Sequence, residues 1–399
     1  MKIDDLDAIS RASFERFLAD AGEIERHNRE VAEVWDAFRN DRPTRVPVQA
    51  GGVSWKHLVM ADPAASFRSY YTEPEVTARL QATSAMLTAN IISDDMPRIE
   101  PERFAAFLDY WPFSDEAYWG AEVVFLDRQQ PKLRRLFETE KIPPEEIEIP
   151  DPFESGFMAL VSKQHESLSR VAREMVLFGR PFDPKINVGC MCTTYGVFNT
   201  AVQLRGVGLF MDVMDDPAYV TALTRKMAHG YAHRRRAWAE RYRYAPPPPS
   251  IVYDHGVDML SLEHYERLLV PVYRELKEML GAEKYDACIE HCGRGEDVIR
   301  YKHKHFGIND FHNLNAAFLD LERLRCDLGP EVQMGVTICP EIVHSGPPER
   351  IRAAVKELLT PDLKGTGRLY VTICSHDYPE APFEHIIAFH EAVKEYGQY

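Results

Sequence analysis

No stretch of this 399-residue chain approaches the roughly eighteen consecutive apolar residues that a membrane-crossing helix needs. The opening, MKIDDLDAIS, lacks the apolar core of a secretion signal, so the expected compartment is the cytoplasm. Positive charge is also short: 47 Lys and Arg stand against 62 Asp and Glu, a formal net charge of -15. That balance argues against non-specific nucleic-acid binding and against attraction to an anionic membrane, since both need a cationic surface. Cysteines number seven, few and odd, which favours reduced thiols over a disulfide framework. Neither GxGxxG nor a P-loop stands at a strand–helix junction, which counts against an open nucleotide-binding sheet.

What is present is an ordinary enzyme composition, 45% hydrophobic and 27% charged, enough for a large core. Residues 1 to about 40 read as a helical extension, with Val31, Val34, Trp35 and Phe38 at helical spacing. Residues 44–52 read as a first strand running into a glycine turn. About 100–185 reads as an insertion of mixed pattern. Residues 186–190 form a short strand candidate. Asp216 and Pro217 then supply a cap and a first-turn proline for a long helix to about 244, broken by Pro246 to Pro249. From there strands alternate with helices: 250–254, 285–292, 307–313, 333–338 and 369–374 each precede a helical pattern, the last closed by Gly397. Five such units in a row predict α/β class and a parallel sheet. The expected architecture is one domain over 1–399, a (β/α)8 TIM barrel with the N-terminal helical extension.

In a barrel the chemistry gathers at the C-terminal ends of the strands. Asp254 and His255 close one expected strand, and Glu290, His291, Cys292 and Gly293 the next. His312 and Asn313 close the third, Thr337 and Cys339 the fourth, and Cys374, Ser375, His376 and Asp377 the fifth. Cys292 and Cys374, with Glu290 or His291, suit zinc, which prefers thiolate and imidazole and accepts carboxylate. Glu290 and Cys292 share a face of an extended strand, which favours Glu290 over His291 as the third ligand. The competing reading is that both cysteines are buried small hydrophobes. Asp254 and His312 are the candidate catalytic acid–base groups, against a turn-capping carboxylate and a hydrogen-bonded core histidine. Gln49, Tyr195, His255, Asn313 and His376 are the candidate substrate contacts. Cys190 and Cys192 lack a second ligand pair and read as core, Arg234 to Arg236 as a solvated helix face, and the aromatic run 110–119 as core packing rather than a lid.

Several segments resemble the uroporphyrinogen decarboxylase superfamily. Residues 28–48, ending RVPV, are similar to its opening helix and first strand; TYGVFNTA at 194–201 and LRG at 204–206 resemble its "GPF…A…LRG" segment. Tyr253 and Asp254 with LSLEHY at 260–265 and Pro271 resemble its "LSPE.Y…P" unit, and the end, from Cys374 to Gly397, its "C…TP.EN…EYG" close. The resemblance is clearest from about residue 186 onward. The porphyrinogen-specific "RQAGR" is replaced here by VQAGG at 48–52, without either arginine. The zinc- and corrinoid-dependent methyltransferase branch resembles the chain better, with Cys292-Gly293 and Cys374 at its ligand positions. Glu290 stands where that branch has histidine, with His291 one place later. The resemblance implies a catalytic zinc and a separate corrinoid protein as partner, with a small-molecule substrate and with a homodimer left open. It implies methyl transfer between a small methylated substrate or thiol and the corrinoid. The alternatives are a metal-independent decarboxylase or lyase of a small carboxylated substrate acting through Asp254 and His312, and a barrel retained as a binding protein.

A porphyrinogen carries many carboxylates and needs cations where Gln49 to Gly52 stand. Uroporphyrinogen should therefore not be consumed, and coproporphyrinogen formed at an enzymatic rate would overturn that expectation.

Overall fold

The computed structural model describes residues 3–49, 52–289, 293–365, 367–372 and 381–399. Along the chain the principal elements are α1 (Ala21–Arg39), β1 (Val48–Gln49), α2 (Pro74–Asn90), α3 (Phe157–Glu174), α4 (Val197–Arg205), α5 (Pro217–Tyr242), β2 (Ile251–Tyr253), α6 (Val270–Leu280), β3 (Ala287–Ile289), α7 (Glu296–Tyr301), β4 (Asp310–Asn315), α8 (Leu321–Leu328), β5 (Gln333–Thr337), α9 (Pro348–Leu358), β6 (Leu369–Thr372) and α10 (Phe383–Tyr396). The chain divides into two compact units. Unit 1 is Met1–Ala105, Ala172–Asp183 and Asp310–Tyr399, and unit 2 is Ala106–Val171 and Pro184–Asn309. No helix among the described residues is long and apolar enough to cross a membrane.

In unit 1 the strands run parallel in the order β1, β6, β5, β4, with Val48 opposite Val371, Val371 opposite Val336, and Leu314 also opposite Val336. All four residues of β6 are buried, the continuous apolar run of a strand covered on both faces. In unit 2, β2 and β3 pair in parallel, with Val252 opposite Cys288. The α/β class is as expected. Six parallel strands are traced among the described residues, four in one unit and two in the other, where a closed ring of eight was expected. The five expected strands all exist among the described residues, with β4 starting later than expected and running on to Asn315. The exception lies upstream: residues 186–190 make no strand. Asn187 forms only an isolated bridge with Phe107, and its Oδ1 accepts from Gly189 N at 2.8 Å, turning the chain into a short helix at Gly189–Cys192.

The helix ends follow their local chemistry. Asp216 accepts from Tyr219 N and Pro217 opens α5, because its missing N–H is one that no helix carbonyl would have bonded. Ser261 caps the next helical segment through His264 N, and that segment passes through a π-turn, Tyr265–Leu269, before Pro271 starts α6 regularly. Gly397 does not take the left-handed conformation expected of it, having φ -77; a side chain there would meet Val393 O at 2.4 Å and Val46 Cβ at 3.2 Å.

The first strand of unit 1 is fixed by a buried charge pair. Arg45 donates to both oxygens of Asp95 at 2.6 and 2.7 Å, and Asp95 also accepts from Val48 N at 2.7 Å. Trp35 of α1 donates to Asp95 O at 2.6 Å, so the N-terminal helix is tied to the same point. Removing one partner leaves the other charge buried and uncompensated. Arg45→Met should therefore lower unfolding stability by about 3–5 kcal/mol in urea denaturation. A loss below about 1 kcal/mol, the scale of an exposed ion pair, would contradict this.

Candidate active site

In unit 2 the end of β2 separates two environments. Asp254 is buried to 1% exposure, and so is Lys302, at 0%. The Lys302 ammonium lies 2.6 Å from Asp254 Oδ2, Tyr265 OH donates to the same oxygen at 3.3 Å, and Tyr273 OH donates to Oδ1. Lys302 Nζ also lies 3.5 Å from Cys288 Sγ, and Tyr285 OH donates to Tyr273 O at 2.6 Å. Burial together with the Asp254 charge pushes the Tyr265 and Tyr273 hydroxyls well above the usual tyrosine range. Asp254 is thus a charge-compensated acceptor in a dry layer, with both oxygens occupied.

The neighbours of Asp254 face elsewhere. Tyr253 and His255 join Trp111 and Tyr195 in a group of four half-buried rings. Trp111 lies 4.7 Å from Tyr195 and 6.0 Å from Tyr253, and Tyr195 lies 5.3 Å from His255, with interplanar angles of 59°, 68° and 62°. Inclined pairs are a favoured geometry of aromatic contact, and the half-burial of all four rings leaves part of each accessible. His255 N donates to Tyr195 O at 3.2 Å, and a side chain at Gly196, whose φ is 122°, would strike Tyr253 O at 2.8 Å. Glycine is required there by the close approach of the two segments. Farther along the same loop, the Asp258 carboxylate stands where a Gly293 side chain would be, 2.0 Å from its Cβ position, so residue 293 must also be glycine. Burial raises the Asp258 carboxyl above its ordinary range.

Behind Tyr195 lies a second buried charge. Arg234 is fully buried and bonds Asp115 at 2.5 Å, Ser114 O at 2.8 Å and Thr193 O at 2.6 Å. Asp115 Oδ2 accepts from Thr194 Oγ1 and from Tyr195 N at 2.8 and 2.9 Å, so the ion pair sets the backbone that carries Tyr195. The expectation of a solvated face at Arg234 to Arg236 is corrected for its first two members: Arg235 is buried as well, donating to Cys192 O at 2.8 Å. Cys192 is buried and Cys190 donates to Leu108 O at 3.0 Å; burial raises both thiols, which stay protonated.

In unit 1 the polar groups at the strand ends are Asn315, Thr337 and Thr372, with Asn313 two residues inside β4. The ladder between β4 and β5 slips between Phe311 and Leu314, and Asn313 takes φ 61° at that bulge. Bulges re-aim side chains, and asparagine tolerates the left-handed region better than most residues. Thr372 Oγ1 donates to Asn313 Oδ1 at 2.9 Å, while Gln49, exposed, stands opposite Thr372 in the register. The bulge also corrects the place of His312. The strand runs on to Asn315, so His312 is not at its end: it donates to Asp310 at 3.0 Å and packs on Tyr370 at 5.4 Å, beside the strand's beginning.

Glu290, His291, Cys292, Cys374 and His376 lie outside the described residues. Among the described residues no group of three or more His, Cys, Asp or Glu side chains is placed to hold a metal ion. Trp111, Asp115, Arg234, Asp258 and Lys302 were missed as site or supporting residues. Trp111 alone carried a sequence signal, from its aromatic-rich surroundings.

No family model and no curated protein matches this sequence. Among solved structures the chain is similar to a methyltransferase from Methanosarcina mazei, with a TM-score of 0.56 and 16% identity, covering 92% of this chain and 98% of that one. At that identity the likeness establishes the fold.

Glu116, beside Asp115, is buried, and its Oε2 has no hydrogen-bond partner among the described residues. Burial, reinforced by Asp115 and opposed by Arg234, pushes its carboxyl up to about 8. An acid whose folded pKa is raised holds its proton in the folded state where the unfolded chain has lost it. Stability therefore declines as pH rises from the ordinary carboxyl range to about 8. Glu116→Gln should remove that decline, so its unfolding midpoint should gain on the parent protein's from pH 5 to pH 9. Midpoints that keep a constant separation over that range would contradict the assignment.

Proposed function

We propose that this chain is a zinc-dependent methyltransferase that moves a methyl group between a small methylated substrate or thiol and a corrinoid protein. The observation that carries the reading is the match of nearly the whole fold to a protein named as a methyltransferase. Cys292 and Cys374, expected from the sequence at strand ends, add a donor set of two thiols with a carboxylate or imidazole, which is chemistry suited to zinc with one position left for substrate.

Bound zinc would lower the pKa of a substrate thiol or polarise the heteroatom that carries the methyl group. Cys292 and Cys374 would hold it, with Glu290 as the third ligand ahead of His291. The chain's other residues bind and orient. Trp111, Tyr195, Tyr253 and His255 offer an aromatic wall for the apolar part of the substrate and keep water from it. In unit 1, Asn313, held by Thr372, carries an amide free to take the part of a substrate contact expected of it from the sequence. Asp254, with both oxygens engaged by Lys302 and two tyrosines, positions the end of β2. That same saturation disfavours a decarboxylase acting through Asp254 and His312.

Purified protein should contain close to one zinc per chain. Cys292→Ala or Cys374→Ala should remove most of it and abolish methyl exchange with a corrinoid protein while the thermal midpoint holds, because a catalytic site need not support the fold. Glu290→Ala should lose more metal than His291→Ala. Full metal occupancy in the double cysteine variant would overturn the assignment.

A further inference from the structure

Unit 1 contains a cavity of about 400 Å³, between residues 16–30 and the last helix, α10. Its size is that of a small-molecule site. Phe17, Leu18, Ile92 and Ile387 contribute apolar side chains to a lining that is otherwise mostly polar. Three carboxylates line it, and each is already engaged. Glu23 accepts from Asp20 N at 2.8 Å, Glu30 pairs with Arg45 at 2.8 Å, and Glu391 lies 3.5 Å from Arg352.

The cations differ. Arg16 is held by Glu384 at 2.8 Å and by the Phe17 ring, and His27 Nε2 donates to Met96 O at 3.0 Å. Arg26 is exposed and has no ion pair among the described residues. Lys394, on α10, is three-quarters covered, and its ammonium makes no hydrogen bond among the described residues. Its nearest carboxylate is Asp95 at 3.9 Å, and both oxygens of Asp95 are already taken by Arg45. A cation stripped of water without a close acceptor is costly. The balance shows in Lys394 itself: burial outweighs Asp95 and holds its pKa below the ordinary lysine value.

We propose that this cavity binds an organic anion, a single carboxylate or phosphate group on a small apolar body, with Lys394 and Arg26 taking the charge and Leu18 and Ile387 the body. An anion completes the coordination that Lys394 lacks, and the four apolar side chains favour an organic body over a bare inorganic ion. The site is independent of the methyl-transfer reading.

Titration calorimetry of the full chain with hexanoate tests it. Saturable one-to-one binding is expected, at least tenfold tighter than that of hexanamide, which keeps the body and lacks the charge. Inorganic phosphate should also bind at least tenfold more weakly than hexanoate. Lys394→Met should weaken hexanoate at least tenfold, and Ile387→Trp, which fills the cavity from another side, should do the same, with thermal midpoints confirming that both variants fold. Equal binding of hexanamide or of phosphate would overturn the ligand class. Absence of binding to the parent chain, or binding unchanged in both variants, would overturn the site.

Discussion

Successive residues of an extended strand face opposite sides, and at the end of β2 this alternation separates scaffold from surface. Asp254 turns into the dry layer occupied by Lys302, Tyr265 and Tyr273, while Tyr253 and His255 turn toward Trp111 and Tyr195. A shift of one residue would bury the two rings' positions and bring an ionised carboxylate to the aromatic wall. The buried ammonium of Lys302 prevents that slip, because it would be left without its counter-charge.

The same device recurs. Arg45 with Asp95 fixes the first strand of unit 1, and Arg234 with Asp115 fixes the backbone leading into Tyr195. Each pair is nearly dry, and each also bonds a backbone group: Asp95 accepts from Val48 N, and Arg234 donates to Thr193 O. Burying a charge gives little net stability over a well-packed hydrophobe, but it gives one geometry. A site that must orient a small substrate gains from that definition.

Much of the fold was legible because its signals are local. Asp216 and Pro217 mark the start of α5 by their own chemistry, and the apolar run of β6 is that of a strand buried on both faces. What the sequence hid depends on distant partners. Arg234 lies in a run of three arginines that reads as solvated, and only Asp115, more than a hundred positions away, makes its burial tolerable. Asp254 reads equally as acid, anchor or cap until Lys302 and the two tyrosines are in place. The bulge at Asn313 carries no periodic mark, and it moves His312 from the expected strand end to the strand's first half. The barrel expectation succeeded in class and strand direction, and ran ahead of the six parallel strands traced.

Zinc held by two thiolates is the centre of the proposed chemistry, and X-ray absorption at the zinc edge of the purified protein tests it most directly. It should show two sulfur scatterers at about 2.3 Å with the remaining ligands nitrogen or oxygen near 2.0–2.1 Å. A shell of oxygen and nitrogen alone would contradict it.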